Sequence, residues 1–248
     1  MMWPPNQVFV PDLSHYEWPC NFNALADAGC VGVIFKATQS TGYQDPTYTA
    51  ARAACYAAGM KWGAYHFGED SDVEGQVNNF LSYAMPTGDD LICLDLEDYE
   101  NTTMTRTQAR DWITRVENNL GRDGQCVVYG GNWLKERLPT DDRWWGARRL
   151  WLCQYTSGTP ELPAPWEKYW LWQYTDGEAG PEPHEAAGCG PCDMNAYMGD
   201  EKQLIAEWSG GVAQAPPEPE PGPVVRIVIS VPEGVRVNVQ QLGRGAPP

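Results

Sequence analysis

Strand-like and helix-like patterns alternate along most of the 248 residues, and this alternation constrains the fold more than any other feature. Apolar runs are followed by helical stretches, as in 31–37 before 45–58 and 62–67 before 73–84. Repeated β/α units give parallel strands joined by right-handed crossovers. Eight strand candidates therefore predict an α/β fold, a modified TIM-like β/α barrel. An open doubly wound sheet is the alternative.

The helical patterns become sparse in the last third of this predicted barrel. Strand candidates at 150–155, 169–174 and 192–197 are separated by loops and one short helix, and a closing helix is predicted over 202–208. No glycine-rich phosphate loop follows any strand, so the sequence gives no support for a nucleotide site. We predict that residues 1–211 form one barrel whose later helices are missing.

The composition changes after Gly211. Residues 212–223 are rich in Pro and Glu and predict an extended linker. Residues 224–248 alternate Val and Ile with polar residues around a Pro-Glu-Gly turn, which predicts a short β-hairpin tail. A hairpin of this size cannot form a core of its own, so three interpretations stay open: it packs on the barrel, supports self-association with another chain, or is a shortened remnant of a wall-binding module.

Two carboxylates lie two residues apart in the apolar run 92–98. In a strand, Asp95 and Glu97 share one face, and Leu94 and Leu96 pack on the other. Their like charges raise one pKa, so that one carboxyl is protonated while the other is ionised. Hydrolysis of a glycosidic bond needs such an acid and anion. An equally open interpretation is a carboxylate pair bound to basic side chains or backbone at a strand end.

The charge and the terminal sequence limit the possible partners and locations. A formal net charge of −16 disfavours nucleic acid and anionic membrane surfaces. No apolar stretch is long enough to cross a bilayer, so membrane insertion is not expected. Residues 1–5 lack the basic and apolar parts of a secretory signal, which predicts storage in the cytoplasm of the producer or host until release.

The eight cysteines include one CxxC sequence, Cys189 to Cys192. A polar loop precedes it and no second cysteine or histidine pair matches it, which disfavours a redox or zinc role. A local loop disulfide or two free thiols is the favoured interpretation, and the other six cysteines are predicted to be small buried residues. No metal and no cofactor are expected.

Short segments along the chain carry a resemblance to a known family. In order they are VPDLSHY (10–16), FKAT (35–38), GY (42–43), DP (45–46), WGAYHF (62–67), LDLE (94–97), VY (128–129), LCQY (152–155), WQY (172–174) and DMN (193–195). Together they resemble the lysozymes of glycoside hydrolase family 25, muramidases found in bacteriophages, bacteria and some fungi. The resemblance covers residues 8–208 and suggests a phage endolysin.

The resemblance implies hydrolysis of the β-1,4 bond between N-acetylmuramic acid and N-acetylglucosamine in bacterial peptidoglycan. It also implies Glu97 as proton donor, with Asp12, Asp95 and Asp193 around it, each expected at the end of a strand. One departure is that Tyr16 or Glu17 stands where many relatives have Gln.

Further residues near predicted strand ends are candidates for substrate contact: Tyr65, Tyr129, Gln154, Trp172 and Tyr174. Packing inside the barrel is the alternative for the aromatic ones. His66 is predicted to be a buried, hydrogen-bonded residue, and Lys36 to pair with an acid of the cluster. A non-catalytic sugar-binding barrel remains the alternative function, against which the four intact acids count.

Overall fold

The computed structural model describes residues 3–4 and 6–210. The predicted linker and hairpin tail, 212–248, lie outside the described residues. The strands are β1 (Phe9–Leu13), β2 (Gly32–Gln39), β3 (Tyr43–Gln44), β4 (Lys61–Phe67), β5 (Leu91–Leu96), β6 (Val127–Gly130), β7 (Leu150–Cys153), β8 (Leu171–Thr175), β9 (Glu185–Ala186), β10 (Gly190–Pro191) and β11 (Asp193–Tyr197). The helices are α1 (Phe22–Asp27), α2 (Tyr48–Ala57), α3 (Val73–Ala84), α4 (Arg106–Leu120), α5 (Asn132–Arg137), α6 (Arg143–Gly146) and α7 (Glu201–Glu207).

Eight of the strands close a barrel in the order β1, β2, β4, β5, β6, β7, β8 and β11, because β1 pairs with both β2 and β11. The prediction of an α/β barrel is therefore confirmed over the open sheet. Neighbouring strands are parallel except at β11, which is antiparallel to both β8 and β1. The sparse helices are also confirmed: β8 follows β7 without a helix, and α5 and α6 are short.

Local signals account for the well-formed helices. Asp72 caps α3 by accepting a hydrogen bond from the backbone N–H of Gly75. Thr105 and Gln108 form a reciprocal capping box at α4, and Gly121 ends that helix with a φ of 64°. The start predicted for α2 at Asp45 is wrong. Asp45 instead accepts hydrogen bonds from the N–H and hydroxyl of Thr47, so its side chain stabilises the turn before the helix.

Side chains of each strand alternate between the barrel interior and the surrounding helices. On β5, Leu91 and Cys93 belong to the interior cluster. Leu94 and Leu96 pack in the outer cluster with helical residues such as Trp112. The predicted division of faces in the acidic segment is thus confirmed. The interior cluster also contains Trp208, whose indole N–H donates to the carbonyl of Trp62 at 2.7 Å, so the end of α7 closes one end of the barrel.

The disulfide differs from the prediction. Cys20, after β1, is bonded to Cys189, between β9 and β10. Cys192 is a free, buried thiol. Both the local loop disulfide and the pair of free thiols are therefore wrong. The reason is topological: β1 and β11 pair antiparallel, which places the segment after β1 beside the segment before β11. The backbone N–H of Asn21 also donates to the carbonyl of Gly188 at 2.9 Å.

Candidate active site

The four predicted acids gather at one end of the barrel. Asp12 and Asp95 lie near the ends of β1 and β5, and Glu97 follows β5 directly. Asp193 starts β11 and does not end it, which corrects the prediction for that residue. Because β11 runs antiparallel, its first residue reaches the rim where the parallel strands end, and Asp193 stands opposite Asp12 in the register.

One cavity of about 180 Å³ holds the acids. Its remaining walls come from a lysine and from aromatic side chains of neighbouring strands. The lining residues are Asp12, Lys36, Tyr65, Phe67, Asp95, Glu97, Tyr129, Trp151 and Asp193. The cavity is therefore acidic, aromatic and open at the rim where β/α barrel enzymes bind substrate.

A buried amide connects two of the acids to two tyrosines. The Nε2 of Gln173 donates to both carboxyl oxygens of Asp12, at 3.1 and 3.3 Å, and to Asp193 at 3.1 Å. Its Oε1 accepts from the hydroxyls of Tyr129 and Tyr155, at 2.8 and 3.0 Å. Both donors and the acceptor of the amide are used, so the orientation of Gln173 is fixed by its neighbours.

A second amide, that of Asn195, also hydrogen-bonds Asp12. The Nδ2 of Asn195 donates to Asp12 at 2.7 Å and to the carbonyl of Val10 at 2.8 Å. Its Oδ1 accepts from the indole N–H of Trp151. Asp12 is thus the most strongly hydrogen-bonded carboxyl of the cluster. By contrast, the Oδ1 of Asp95 is buried and has no hydrogen-bond partner among the described residues.

Burial raises the pKa of every acid in the cluster. It raises the pKa of Asp12 to about 7, against the hydrogen bonds from Asn195 and Gln173. Burial, reinforced by the charge of Asp12, raises the pKa of Asp193 to about 9. The cluster therefore retains protons near neutral pH.

The central pair departs from the division of charge expected from the sequence. Burial and then the charge of Glu97 raise the pKa of Asp95 well above its usual range, and Lys36 opposes them. Burial also raises the pKa of Glu97, while the Tyr129 hydroxyl and Lys36 oppose the rise. Burial thus favours a proton on Asp95, and the pKa values of both carboxyls are raised, whereas the sequence predicted a rise for one of them.

Lys36 lines the cavity without the predicted pairing. Its Nζ donates to the Oε1 of Gln39 at 2.7 Å and lies 5.0 and 5.5 Å from the ring centres of Phe67 and Tyr43. Among the described residues it forms no direct ion pair with a carboxylate. Its charge still acts on the central pair through space.

The structure places the predicted substrate-contact residues in different locations. Tyr65 and Tyr129 line the cavity. Trp172 and Tyr174 do not: both are buried in the outer cluster, and their N–H and hydroxyl donate to the carbonyls of Gln154 and Pro183. Successive side chains of a strand point to opposite faces. Gln173 points toward the acids, so Trp172 and Tyr174 on either side of it point away from them.

Gln154 also lies outside the cavity lining. Its Oε1 accepts from the Nζ of Lys135 at 3.0 Å and from the N–H of Glu161 at 2.8 Å, so it connects α5 with the loop between β7 and β8.

Sequence reasoning missed the amides of Gln173 and Asn195, which bind the acids, and the rings of Phe67 and Trp151 in the cavity wall. Gln173 has the most contacts with the acids and the tyrosines. A polar residue inside the buried strand β8 was the available signal, since a buried amide needs partners.

His66 and Glu17 both accept or share hydrogen bonds with nearby side chains or backbone. His66 is buried between the hydroxyl of Thr38 and the Oε1 of Gln76, at 2.7 and 3.1 Å, and burial lowers its pKa to about 4. Its prediction as a buried, hydrogen-bonded residue is confirmed. Where many relatives have Gln, the Glu17 carboxylate accepts from the N–H and hydroxyl of Ser14, at 2.7 and 3.1 Å, and closes the turn after β1.

A barrel of this type with a carboxyl cluster at its rim has the architecture of a glycoside hydrolase. The model for "Glycosyl hydrolases family 25" matches residues 11–182, and the chain belongs to this family. The predicted resemblance is confirmed, and the chain is a glycoside hydrolase. The acids gathered in one cavity, together with the family, disfavour the non-catalytic alternative.

Individual relatives agree with this assignment. Lysozyme M1 of Streptomyces globisporus is 26% identical over 211 residues, covering 79% of this chain and 69% of the relative. The structure of a lysozyme from Streptomyces coelicolor matches with a TM-score of 0.71 and 24% identity, over 83% of this chain and 99% of that chain. The CTP1L endolysin structure matches with a TM-score of 0.61 and 25% identity, over 80% and 69%.

None of the helices in residues 3–4 and 6–210 combines the length and apolar character needed to cross a membrane. Within the same residues, no group of three or more His, Cys, Asp or Glu side chains is arranged to hold a metal ion. The expectation that the reaction needs no cofactor stays a prediction.

Proposed function

We propose that this chain is an N-acetylmuramidase that hydrolyses the β-1,4 bond between N-acetylmuramic acid and N-acetylglucosamine in bacterial peptidoglycan. The observation that carries the proposal is the convergence of Asp95 and Glu97 with Asp12 and Asp193 in one cavity at the rim of a family 25 barrel. Paired carboxyls at this position supply the acid and the anion that glycosidic cleavage requires.

Glu97 is the proposed proton donor. It follows the strand end, so it reaches further toward the rim than Asp95. The hydroxyl of Tyr129 lies 2.8 Å from Gln173 Oε1 and 3.3 Å from Glu97 Oε1. The Tyr129 hydroxyl donates toward Glu97 Oε1, and this contact opposes the rise that burial gives the pKa of Glu97. It therefore stabilises the carboxylate that forms when the leaving oxygen takes the proton.

Asp95 is the proposed anion beside the anomeric carbon. In the transition state a positive charge develops on the sugar, and an adjacent positive charge favours an ionised carboxyl. Lys36 already opposes the effect of burial on the pKa of Asp95, and the positive charge of the transition state adds to that opposition. The absence of a hydrogen bond on Asp95 Oδ1 leaves this oxygen available to the substrate. Direct attack by Asp95 and attack by the substrate's own acetamido group both remain open.

Analysis of the products tests the reaction directly. Purified protein should release new reducing ends, and no new amino groups, from Gram-positive peptidoglycan. Mass spectrometry should find N-acetylmuramic acid at the reducing end of each fragment. Fragments that end in N-acetylglucosamine would instead define a glucosaminidase, and new amino groups would define an amidase or a peptidase.

The Glu97→Gln variant tests the role of the donor. It preserves the shape of the side chain and removes the proton, so turnover should fall by about two or more orders of magnitude. Asp98→Asn is the matched control, because Asp98 is the next residue, is 52% exposed and pairs with Arg137 on the surface. Equal losses in the two variants, or near-normal activity of Glu97→Gln, would assign the donor elsewhere.

We further propose that the enzyme acts in phage-mediated lysis after storage in the cytoplasm. The similarity to the CTP1L endolysin supports this setting. Expression in a bacterial host should leave the cells intact until the membrane is permeabilised, and lysis should follow within minutes of permeabilisation. Lysis without permeabilisation, or its absence afterwards, would contradict the proposed setting and leave the hydrolase activity to the product analysis.

A further inference from the structure

Three rings form an exposed aromatic surface beside the cavity, which we call the rim platform: His15, Tyr16 and Tyr43. His15 and Tyr16 follow β1, and Tyr43 begins β3 after the turn that follows β2. The rings of His15 and Tyr16 lie 4.1 Å apart at 34°, and those of His15 and Tyr43 lie 6.2 Å apart. Tyr16 is 82% exposed and Tyr43 37%.

Hydrogen bonds to the buried Asp45 anchor the rim platform at His15. The Nδ1 of His15 lies 2.9 Å from the Oδ2 of Asp45 and 3.1 Å from the hydroxyl of Tyr43. The backbone N–H of His15 donates to the same Asp45 oxygen at 3.0 Å, and Asp45 is fully buried. The backbone N–H of Tyr16 donates to the hydroxyl of Ser14 at 3.3 Å. The His15 ring is therefore held by Asp45 and Tyr43, and the Tyr16 ring packs on it, which reduces the entropy lost on binding.

The rim platform is continuous with the catalytic cavity. Lys36 lines the cavity, and its Nζ lies 5.5 Å from the ring centre of Tyr43. Both β1 and β2 end at the rim that carries the acids, so their following turns lie on the same side. The three rings are tilted against one another by 34° and 52°, so the flat, exposed face is that of Tyr16. An exposed ring with polar atoms beside it suits a pyranose, which has an apolar C–H face and peripheral hydroxyls.

We propose that the rim platform binds a sugar ring of the glycan strand beyond the two rings that flank the scissile bond. This inference rests on the proposed function, because the strand must first occupy the cavity. Stacking on Tyr16 then extends the contact along the polymer and makes the enzyme select long glycans over short ones.

The test compares full-length Tyr16→Ala with the unmodified protein on peptidoglycan-derived oligosaccharides of increasing length. On polymeric glycan, kcat/KM should fall about five- to tenfold, the loss typical of one aromatic stacking contact. On the shortest oligosaccharide that is cleaved, the two proteins should match. Tyr16→Phe retains the ring and should restore activity on the polymer. Met198→Ala is the control, because Met198 is 56% exposed and follows the far end of β11.

The outcomes separate this inference from the proposed function. An equal loss on short and long substrates would show that Tyr16 only supports the turn after β1, and no loss on any substrate would show that it is idle. Either result overturns the inference. If the unmodified protein releases no muramic reducing ends from any substrate, the proposed function itself fails.

Discussion

The hydrogen bonds of Gln173 give a prediction about both stability and activity. In Gln173→Met the side chain keeps a similar length and loses its amide. Four partners lose a hydrogen bond: Asp12, Asp193, Tyr129 and Tyr155. At about 1 kcal/mol for each bond, the loss is about 4 kcal/mol, and the apolar surface that Met buries offsets part of it. We expect the free energy of unfolding to fall by about 2–3 kcal/mol.

The same substitution should lower activity. Asp12 and Asp193 lose the donor that sets their distance from each other, and Tyr129 loses the acceptor that orients its hydroxyl. Misplacement of groups around a reacting centre costs about tenfold to a hundredfold in kcat/KM. Urea unfolding and turnover of purified peptidoglycan measure the two effects on the same preparation.

Gln154→Met is the matched control for Gln173→Met. The Gln154 side chain binds Lys135 and the backbone of Glu161 outside the cavity. Its loss should cost about 1 kcal/mol or less and leave kcat/KM unchanged. Wild-type stability and activity of Gln173→Met would refute the reasoning, because the amide would then be replaceable by apolar packing. A larger effect of Gln154→Met on activity would restore Gln154 to the substrate site.

The remaining predictions concern the charges and the chain end. The folded pKa values of Asp12 and Asp193, about 7 and 9, lie above the unfolded ones. The unfolded chain therefore loses these protons first, and the free energy of unfolding should fall from pH 4 to 9 in a pH series of urea unfolding. Asp193→Asn should flatten this fall and lower activity. Arg148→Met leaves the buried Glu117 carboxylate without its ion-pair partner and should cost about 3–5 kcal/mol, most of which Arg148→Met/Glu117→Leu should recover. Deletion of residues 213–248 should leave the barrel folded and active on purified wall fragments, whereas unfolding on truncation would place the tail in the core.

The elements that the sequence predicts best are those with local signals. The bounds predicted for α3, 73–84, agree with the structure because Asp72 caps its start. In the same way α4 begins at Arg106 because Thr105 and Gln108 form a capping box just before it. Such signals depend on neighbours within one turn of chain, which a sequence shows directly.

Site residues that are close in the sequence can also be predicted from it, whereas partners that are distant in the sequence cannot. Asp95 and Glu97 can be found from the sequence because both lie in one apolar run, and their shared face follows from the strand period. Gln173 is not readable as a partner of Asp12, since 161 residues separate the two. The Cys20–Cys189 bond, with a separation of 169 residues, depends on the pairing of β1 with β11 in the same way. Contacts between distant segments require the topology, and the sequence pattern predicts the strands without their order.

The reversed direction of β11 determines the chemistry of the rim. In an all-parallel barrel a residue that starts a strand lies at the end away from the substrate. Here the antiparallel pairing brings Asp193, the first residue of β11, opposite Asp12. Burial and then the charge of Asp12 raise the pKa of the facing Asp193 carboxyl, and the amide of Gln173 between them reduces the repulsion by donating to both. The strand reversal thus supplies a second acid pair next to Asp95 and Glu97, and it requires the amide that holds the second pair together.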